Sequence, residues 1–433
     1  MELSQTTTLS RSPMTLVCVY LVLLSPVQPA TIFSSIEKVG NITTAELITG
    51  FGYPVERHTV ESKDGFLLNM FRIPKSGPAV LFTHGILLAT DTWVLRGPKH
   101  DLAFMLSDLG YDVWLADTRG NCYSHKHKTL NDTDEKFWDF SFDEMGTFDV
   151  PALIDYILER KPRHKKLFYI GHSLGSTMFF AMCNTRPEYN DKIHLMIALA
   201  PAVYFNKLLF LPDNASMMTA RSMRMALRIA KDGLATHELL PRSRMTVGTA
   251  RTICGPNAIT LPLCHFIIAA FFGISHPGDM GQIERRYVGN YTSVIPSGTS
   301  IKTFDHLMQL ALSRKFHSYD YGPKGNMERY GSRKPLQHNL VVVKAPTALF
   351  YSRGDMLVPH KNVERLGSEL SNLVSLDLVS KSTFNHMDFI WGKDARKMVF
   401  ERAISLMESH RPRDAKAIYQ EMQRQRNKTL LKP

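Results

Sequence analysis

The sequence predicts an α/β fold in which a mostly parallel sheet is flanked by helices and interrupted by one long insertion. Short apolar runs alternate with helical stretches between residues 79 and 199, and the alternation returns between 347 and 409. Such runs are typical of parallel strands covered by helices on both faces. Residues 202–340 lack this alternation. A third observation is a Gly-His-Ser-Leu-Gly sequence at 171–175, which lies between an apolar run and a buried helix.

The composition of the 433 residues supports a large folded protein. Hydrophobic residues make up 44% of the chain and aromatic residues 10%, which excludes a disordered or fibrous protein. Part of the net charge of +12 lies in residues 411–433, which hold seven lysines and arginines against Asp414 and Glu421. The remaining charge forms no basic stripe, and we predict no nucleic-acid partner. The basic end is interpreted as a solvated tail, with attraction to an anionic lipid surface as the alternative.

The beginning of the chain resembles a secretory signal peptide. Residues 14–24 are apolar, follow Arg11 and precede Pro26 and Pro29. This stretch is too short to cross a bilayer, which needs about 20 residues, so we predict a cleaved signal over residues 1–30. Candidate glycosylation sites agree with passage through the secretory pathway, and there are five N-x-S/T sequences: Asn41, Asn131, Asn214, Asn290 and Asn427.

Cysteine usage fits the same oxidising compartment. Cys254 and Cys264 are close enough in sequence to close a small loop, and we predict that they form a disulfide. Cys122 and Cys183 remain, and Cys183 is predicted to be a small core residue of an apolar helix.

The elements before the serine motif follow from local patterns. Thr44–Gly50 is predicted as a short helix capped by Thr43 or Thr44. Lys63-Asp64-Gly65 lies between two alternating runs, and Asp-Gly in this position indicates a β-hairpin. The predicted strands are Val55–Val60, Phe66–Ile73, Ala79–Phe82 and Tyr111–Ala116, and the predicted helices are Leu102–Leu109 and Phe142–Glu159, the last with a kink near Asp149 and Pro151.

The serine motif and the later elements complete the domain organisation. Residues 202–340 are rich in Met and Arg and are predicted to form a mainly helical cap or lid. The predicted strands are Leu167–Ile170, Leu195–Leu199, Thr347–Tyr351 and Val374–Val379, and the predicted helices are Thr177–Cys183, Asn362–Leu370 and Ala395–Ser409. The α/β core would then comprise residues 31–201 and 341–409, and a basic tail would cover 410–433.

Ser173 is the predicted nucleophile. The Gly-x-Ser-x-Gly motif between a strand and a helix exposes the hydroxyl on a sharp turn, where Gly171 and Gly175 allow close backbone approach. Serine needs a base to take its proton, and the base needs a carboxylate to hold its tautomer. Asp355 ends the first strand after the insertion and His386 follows the next strand, which is the chain order of α/β-hydrolases. All three are therefore expected at the carboxyl edge of one sheet.

Three neighbouring groups fit the catalytic roles less well. Asp377 lies inside a strand pattern, and Asp388 comes two residues after the histidine. His172 belongs to the turn of the serine motif, and we predict that it is a packing residue and not the base.

The tetrahedral oxyanion requires two hydrogen-bond donors. One is the backbone N–H of Leu174, the residue after the nucleophile. The second is expected from the loop after Ala79–Phe82, where His84-Gly85 precede Ile86. This chemistry uses no cofactor, and we predict no metal site.

The stretches around these residues resemble the gastric and lysosomal acid lipase family, with an invertebrate member as one candidate. The likeness covers the core from about 45 to 205 and 340 to 408, and is looser in the cap. It is carried by FTHGILLATDTWV (82–94), LAFMLSDLGYDVWLADTRGN (102–121), FWDFSFDEMGTFDVPALIDYI (137–157), YIGHSLGST (169–177) and FNHMDFIWGKDA (384–395), together with the segment 51–74.

The resemblance implies a triad of Ser173, Asp355 and His386, with Ile86 and Leu174 as oxyanion donors. It also implies a mobile cap over an apolar pocket and neutral lipid esters as substrates. Two features depart from the family pattern, because Leu174 stands where mammalian members often have glutamine, and Arg-Gly precedes Asp355 where Gly-Asn is common.

The sequence thus predicts a serine lipase that acts on triacylglycerol, cholesteryl ester or related lipids. The expected partners are the lipid ester substrate and the lipid–water interface, with no stable protein partner. Two alternatives stay open: a catalytically silent lipid-binding or storage protein on a hydrolase scaffold, and a water-soluble esterase or acyltransferase with the same machinery.

Overall fold

The computed structural model describes residues 42–205, 213–243, 247 and 282–412, which are organised around a nine-stranded sheet. The predicted signal segment, the Cys254–Cys264 pair, most of the basic tail and the sequons at Asn41 and Asn427 lie outside these residues. The strands, numbered along the chain, are β1 (Glu56–Glu61), β2 (Phe66–Ile73), β3 (Ala79–Thr83), β4 (Asp112–Ala116), β5 (Lys126–His127), β6 (Leu167–His172), β7 (Ile193–Leu199), β8 (Glu238–Leu239), β9 (Thr299–Ser300), β10 (Thr347–Ser352) and β11 (Leu373–Val379).

The large sheet is mostly parallel, as predicted. Its strand order is β1-β2-β4-β3-β6-β7-β10-β11, with β5 paired to β2, while β8 and β9 form a separate pair. The six strands from β4 to β11 in this order are parallel, and β2 is antiparallel to β1, β4 and β5. Every residue of β3, β4, β6 and β10 is buried, because helices cover both faces of this part of the sheet.

The predicted hairpin joins β1 and β2 in a register that pairs Glu61 with Leu67. Gly65 in its turn has a φ of +99°, a left-handed backbone that residues with a side chain rarely adopt. A Cβ at this position would also lie 2.8 Å from the His127 imidazole. The Asp-Gly pair therefore predicts the hairpin because its turn requires a left-handed backbone at Gly65.

Helices lie on both sides of the sheet. The first begins after Thr43, whose side chain caps it together with Glu46, as predicted from the sequence. The helices are α1 (Thr44–Gly50), α2 (Leu102–Asp108), α3 (Phe142–Glu144), α4 (Val150–Arg160), α5 (Leu174–Thr185), α6 (Asp213–Arg228), α7 (Val288–Val294), α8 (Ile301–Ser313), α9 (Gly322–Tyr330), α10 (His360–Glu369), α11 (Asp388–Trp391) and α12 (Glu401–Ser409).

The predicted helix at 142–159 is interrupted by a π-helical segment, Met145–Asp149, before α4 continues with Pro151 in its first turn. A Cβ at Gly146 would lie 2.7 Å from the Met178 carbonyl oxygen. The irregular segment therefore lies directly against α5, the helix that follows the serine motif. Proline needs no partner for its missing N–H at a helix start, which explains the position of the break.

Two apolar clusters fill the space on the two faces of the sheet. Alternate residues of one strand point to different clusters: Leu81 belongs to the cluster that contains α5, and Val80 and Phe82 to the other. The first cluster continues into Ala220, Leu307 and Met308 of the insertion. The described part of the insertion is mainly helical, as predicted, and α6 packs on α8.

A search of the described residues finds no helix that is long and apolar enough to cross a membrane.

Candidate active site

Ser173 lies on the turn between β6 and α5, at the carboxyl edge of the sheet. Its backbone has φ 52° and ψ −117°, a strained conformation for a residue with a side chain. The residue is 6% exposed, and its N–H donates a 2.9 Å hydrogen bond to the Leu199 carbonyl at the end of β7. The turn therefore fixes the position of the Ser173 hydroxyl at the carboxyl edge of the sheet.

The two glycines of the motif are required by close contacts. A Cβ at Gly171 would lie 2.7 Å from the backbone nitrogen of Ser176. A Cβ at Gly175 would lie 2.5 Å from the carbonyl oxygen of Thr83, at the end of β3. Because real Cβ atoms do not come this near to backbone atoms, larger residues would push the turn away from β3.

His386 and Asp355 form a buried pair at the same edge. Asp355 follows β10, His386 follows β11, and the His386 Nδ1 lies 2.8 Å from the Asp355 Oδ2. The other carboxylate oxygen of Asp355 accepts the backbone N–H groups of Leu357 and Val358 at 2.9 and 2.8 Å. Since the carboxylate can only accept, the shared proton lies on His386 Nδ1, and Nε2 is left with a lone pair.

His172 contacts the loop that carries His386. Its Nε2–H donates a 3.0 Å hydrogen bond to the backbone carbonyl of His386, and the two rings are 4.8 Å apart. Burial and the neighbouring His386 hold the pKa of His172 well below its usual range, so that the ring is neutral. The packing role predicted from the sequence thus includes a hydrogen bond that positions the His386 backbone.

The two backbone donors predicted for the oxyanion are both without an acceptor among the described residues. Leu174 begins α5, so its N–H has no partner within the helix. Ile86 follows Gly85, where a Cβ would lie 3.2 Å from the Ser173 Cβ. The loop therefore passes directly beside the serine.

The loop that carries Ile86 is anchored by a buried network that sequence patterns did not reveal. His84 donates from Nδ1 to the Gly85 carbonyl at 2.8 Å, and its Nε2 accepts the Asn121 amide at 3.1 Å. Burial lowers the pKa of His84 to about 4. Asp117 accepts the Asn121 amide and the Thr90 N–H, and burial raises its pKa to about 7. The only sequence signal for this network was the D-T-R-G-N segment at 117–121, which follows β4.

The two aspartates rejected as triad members make other contacts. Asp388 is buried and accepts the Asn385 N–H at 2.7 Å, and burial raises its pKa to about 8. Asp377 accepts from Arg402 at 3.1 Å on the outer side of β11. Neither carboxylate is a hydrogen-bond partner of the His386 ring.

Fold and site together define the class of the chain. The family described as "alpha/beta hydrolase fold" matches residues 78–393, and a "partial alpha/beta-hydrolase lipase region" matches residues 44–97. A buried histidine–aspartate pair and a strained serine at the carboxyl edge of a mostly parallel sheet are typical of this class. The protein is an α/β-hydrolase.

Similar proteins narrow the class to one family. Lipase 1 of Drosophila melanogaster is 37% identical over 86% of this chain and 81% of its own length. The gastric triacylglycerol lipase of Bos taurus is 32% identical over 85% of this chain and 91% of its own length. The lysosomal acid lipase/cholesteryl ester hydrolase of Macaca fascicularis is 31% identical over 86% of this chain and 92% of its own length. The chain belongs to the gastric and lysosomal acid lipase family, as its sequence motifs predicted, and is a carboxylic ester hydrolase.

Proposed function

We propose that the protein hydrolyses neutral lipid esters, such as triacylglycerol and cholesteryl ester, through an acyl-enzyme on Ser173. The observation that carries the proposal is the position of Ser173 and the His386–Asp355 pair on three turns of one sheet edge. The names of the relatives in the family support the substrate class.

In the first step, Ser173 Oγ attacks the ester carbonyl while His386 Nε2 accepts its proton. Asp355 keeps the Nδ1 proton in place and stabilises the imidazolium that forms. The N–H groups of Ile86 and Leu174 donate to the oxyanion, where their stabilisation is greatest because the site is buried. His386 then protonates the departing alcohol, and the acyl group remains on the serine.

In the second step, water attacks the acyl-enzyme. His386 accepts the proton of the water, and the same two N–H groups bind the second oxyanion. Collapse of this intermediate releases the fatty acid and returns the proton to Ser173. Every proton transfer uses His386 Nε2; each oxyanion meets two N–H donors, and the imidazolium meets the carboxylate of Asp355.

An apolar acyl chain fits the surroundings of the serine. The side chains of Leu174 and Ile86 belong to the cluster that also contains Leu307 and Met308 of α8. We assign residues 31–201 and 341–409 to the catalytic core and 202–340 to a cap that controls entry of the substrate. Residues of the cap would therefore set the preference for acyl length and head group.

The route of the protein follows from the same proposal. A signal at 1–30 would direct the chain into the secretory pathway, to a secreted or lysosomal location, and Cys254 and Cys264 would pair there. Among the described sequons, Asn131, Asn214 and Asn290 are exposed, which is what attachment of a glycan requires.

A serine-directed organophosphate and a panel of esters test the proposal. We expect one label per chain, located on Ser173, and faster hydrolysis of emulsified triacylglycerol than of dissolved short-chain esters. A folded protein that takes no label would instead be a silent lipid-binding protein. Labelling together with a preference for dissolved esters would identify a soluble esterase.

A further inference from the structure

Arg96 is a buried charged residue in the loop that follows β3 and carries Ile86. Its side chain is 1% exposed, and its Nε donates to the Asp101 carboxylate at 3.1 Å. The backbone N–H groups of Arg96 and Gly97 donate to the same carboxylate at 2.6 and 2.8 Å. This ion pair balances the buried charge, but it uses only one of the five N–H donors of the guanidinium.

The other four donors of this guanidinium bind backbone carbonyls. Nη1 donates to the carbonyls of Trp391 and Gly392 at 2.7 and 3.1 Å, and Nη2 donates to those of Ile390 and His100 at 2.7 and 2.6 Å. Three of the four lie at the end of α11, the short helix that begins two residues after His386. Because the last carbonyls of a helix have no partner within it, the guanidinium caps this helix.

A further hydrogen bond joins the same two parts of the chain. The indole N–H of Trp391 donates at 3.0 Å to the carbonyl of Thr92, which lies four residues before Arg96. Thr92 and Arg96 belong to the loop of the oxyanion donor Ile86, and Trp391 belongs to the segment that follows His386. The loop of the donor and the loop of the base are therefore bonded to each other, and Arg96 supplies three of these bonds.

We propose that Arg96 is a positioning residue of the reaction, which holds the loop of His386 in place against the loop of Ile86. The reaction needs His386 Nε2 beside Ser173 while the Ile86 N–H faces the oxyanion, and a displacement of 1 Å in such an arrangement can cost about 10²-fold in rate. Arg96 acts through the backbone of α11 and not through contact with substrate. The inference rests on the proposed function, which assigns the base and the donor.

Arg72 offers a matched control at the opposite edge of the sheet. Its Nε and Nη2 donate to the buried Asp112 carboxylate at 2.9 and 3.1 Å, and Asp112 begins β4, whose other end lies at the catalytic edge. Lysine in place of either arginine keeps a cation beside a buried carboxylate but loses the planar fork of donors. Both changes should therefore weaken folding, whereas only Arg96→Lys releases a catalytic loop.

Steady-state kinetics on a dissolved ester test the proposal, with the competent enzyme counted by organophosphate titration and folding checked by circular dichroism. We expect Arg96→Lys to lower kcat about tenfold and Arg96→Gln about 10²-fold, with KM little changed. Trp391→Phe, which removes one of the bonds between the loops, should lower kcat less. Arg72→Lys and Arg72→Gln should keep the kcat of the parent protein.

Equal losses of kcat in the Arg96 and Arg72 variants would show a structural role alone and overturn the proposal. An unchanged kcat in folded Arg96→Lys would overturn it as well. If Arg96→Gln does not fold, the lysine variant and Trp391→Phe carry the test.

The proton between His386 and Asp355 gives a measurement that is independent of lipid hydrolysis. Proton NMR should show a downfield resonance for His386 Nδ1–H, assigned by its loss in Asp355→Asn. Since Asp355 lies on another loop, we expect Arg96→Lys to shift or broaden this resonance and Arg72→Lys to leave it unchanged. An identical resonance in both variants would reject the positioning role even where lipid hydrolysis is confirmed.

The two proposals fail in different ways. A wild-type protein that takes no serine label, or that hydrolyses no lipid ester, would reject the proposed function. A resonance that responds to Arg96→Lys and not to Arg72→Lys would then still assign the position of His386 to Arg96.

Discussion

The catalytic edge of the sheet and the junction between the insertion and the rest of the described chain are held by different contacts. At the catalytic edge, backbone groups position the side chains. Asp355 accepts two backbone N–H groups, and the Ser173 N–H bonds to the Leu199 carbonyl. The carbonyl of His386 accepts from His172, which is neutral. These hydrogen bonds involve backbone groups and a neutral histidine, so most of them depend little on the protonation of other side chains.

The junction depends on ion pairs between distant parts of the chain. Arg242 of the insertion donates to Asp91 at 2.6 Å and also bonds the Val294 carbonyl. Lys302 of α8 donates to Asp139 at 2.9 Å. Substitutions in these salt bridges leave Ser173, Asp355 and His386 themselves unchanged. The comparison indicates that mainly backbone hydrogen bonds position the triad residues, whereas ion pairs attach the insertion.

The largest effect is expected from Ser173→Ala, which removes the nucleophile from the catalytic edge. The turn is held by glycines and backbone bonds, so the variant should fold. We expect kcat to fall by about 10⁶-fold for dissolved and emulsified esters alike. Circular dichroism and turnover measured on both substrates check this, and near-normal turnover would reject the assignment of Ser173.

Asp355→Asn should reduce kcat by about 10⁴-fold, because an amide can hold the wrong tautomer of His386. The geometry at the edge should be preserved, since the side-chain oxygen of asparagine can still accept the N–H groups of Leu357 and Val358. Single-turnover acylation rates measure the effect. Asp388→Asn is the matched comparison, and a larger loss there would move the role of the acid to Asp388.

Arg242→Met tests the junction, since it leaves the buried carboxylate of Asp91 without its cation. We expect a loss of about 3–5 kcal/mol in the free energy of unfolding, measured in urea. The double variant with Asp91→Asn should recover part of this loss. If the two regions are separable, kcat on a dissolved ester changes less than activity on an emulsion, and an equal fall in both would refute the separation.

The junction should also respond to pH through His125. Burial alone would lower the pKa of this histidine, but Glu238 and Asp132 outweigh it and raise the pKa to about 10. Because the folded pKa lies above the unfolded value of about 6.5, the stabilisation is complete below that pH and is lost as the pH rises toward 10. His125→Gln should cost about 1–3 kcal/mol at pH 6.

Unfolding free energies of wild type and His125→Gln, measured from pH 6 to 10, check this expectation. The difference between the two proteins should shrink as the pH rises. A constant difference over the range would show that the imidazolium contributes no charge interaction with Glu238 or Asp132.

The smallest effect is expected from Leu174→Gln at the catalytic edge. The oxyanion donor at this position is the backbone N–H, which the substitution leaves in place. We expect a change in kcat of less than about tenfold, compared with the loss of about 10²–10³-fold that removal of an oxyanion donor causes. Steady-state kinetics on one dissolved ester measure it, and a larger loss would show that the side chain takes part.

The local elements of the fold could be predicted from the sequence because each depends on a few neighbouring residues. The Asp-Gly pair before Phe66 indicates the hairpin, and the apolar runs at 79–82 and 167–170 indicate buried parallel strands. Ser173, Asp355 and His386 were identifiable as site candidates because each follows a strand in the required order. The π-helical segment at 145–149 marks the limit, since Pro151 indicates an irregularity there but only the tertiary structure shows the contact of Gly146 with α5.

The sequence by itself thus determined the α/β class, the family and the candidates for the catalytic groups, because their signals are contained in short motifs. Only the tertiary structure decided that His172 holds the His386 carbonyl, that His84 and Asp117 anchor the Ile86 loop, and that Arg242 pairs with Asp91. The local sequence does not indicate these partners. Their roles arise from burial beside partners far away in the chain, where an unpaired charge or polar group would be costly.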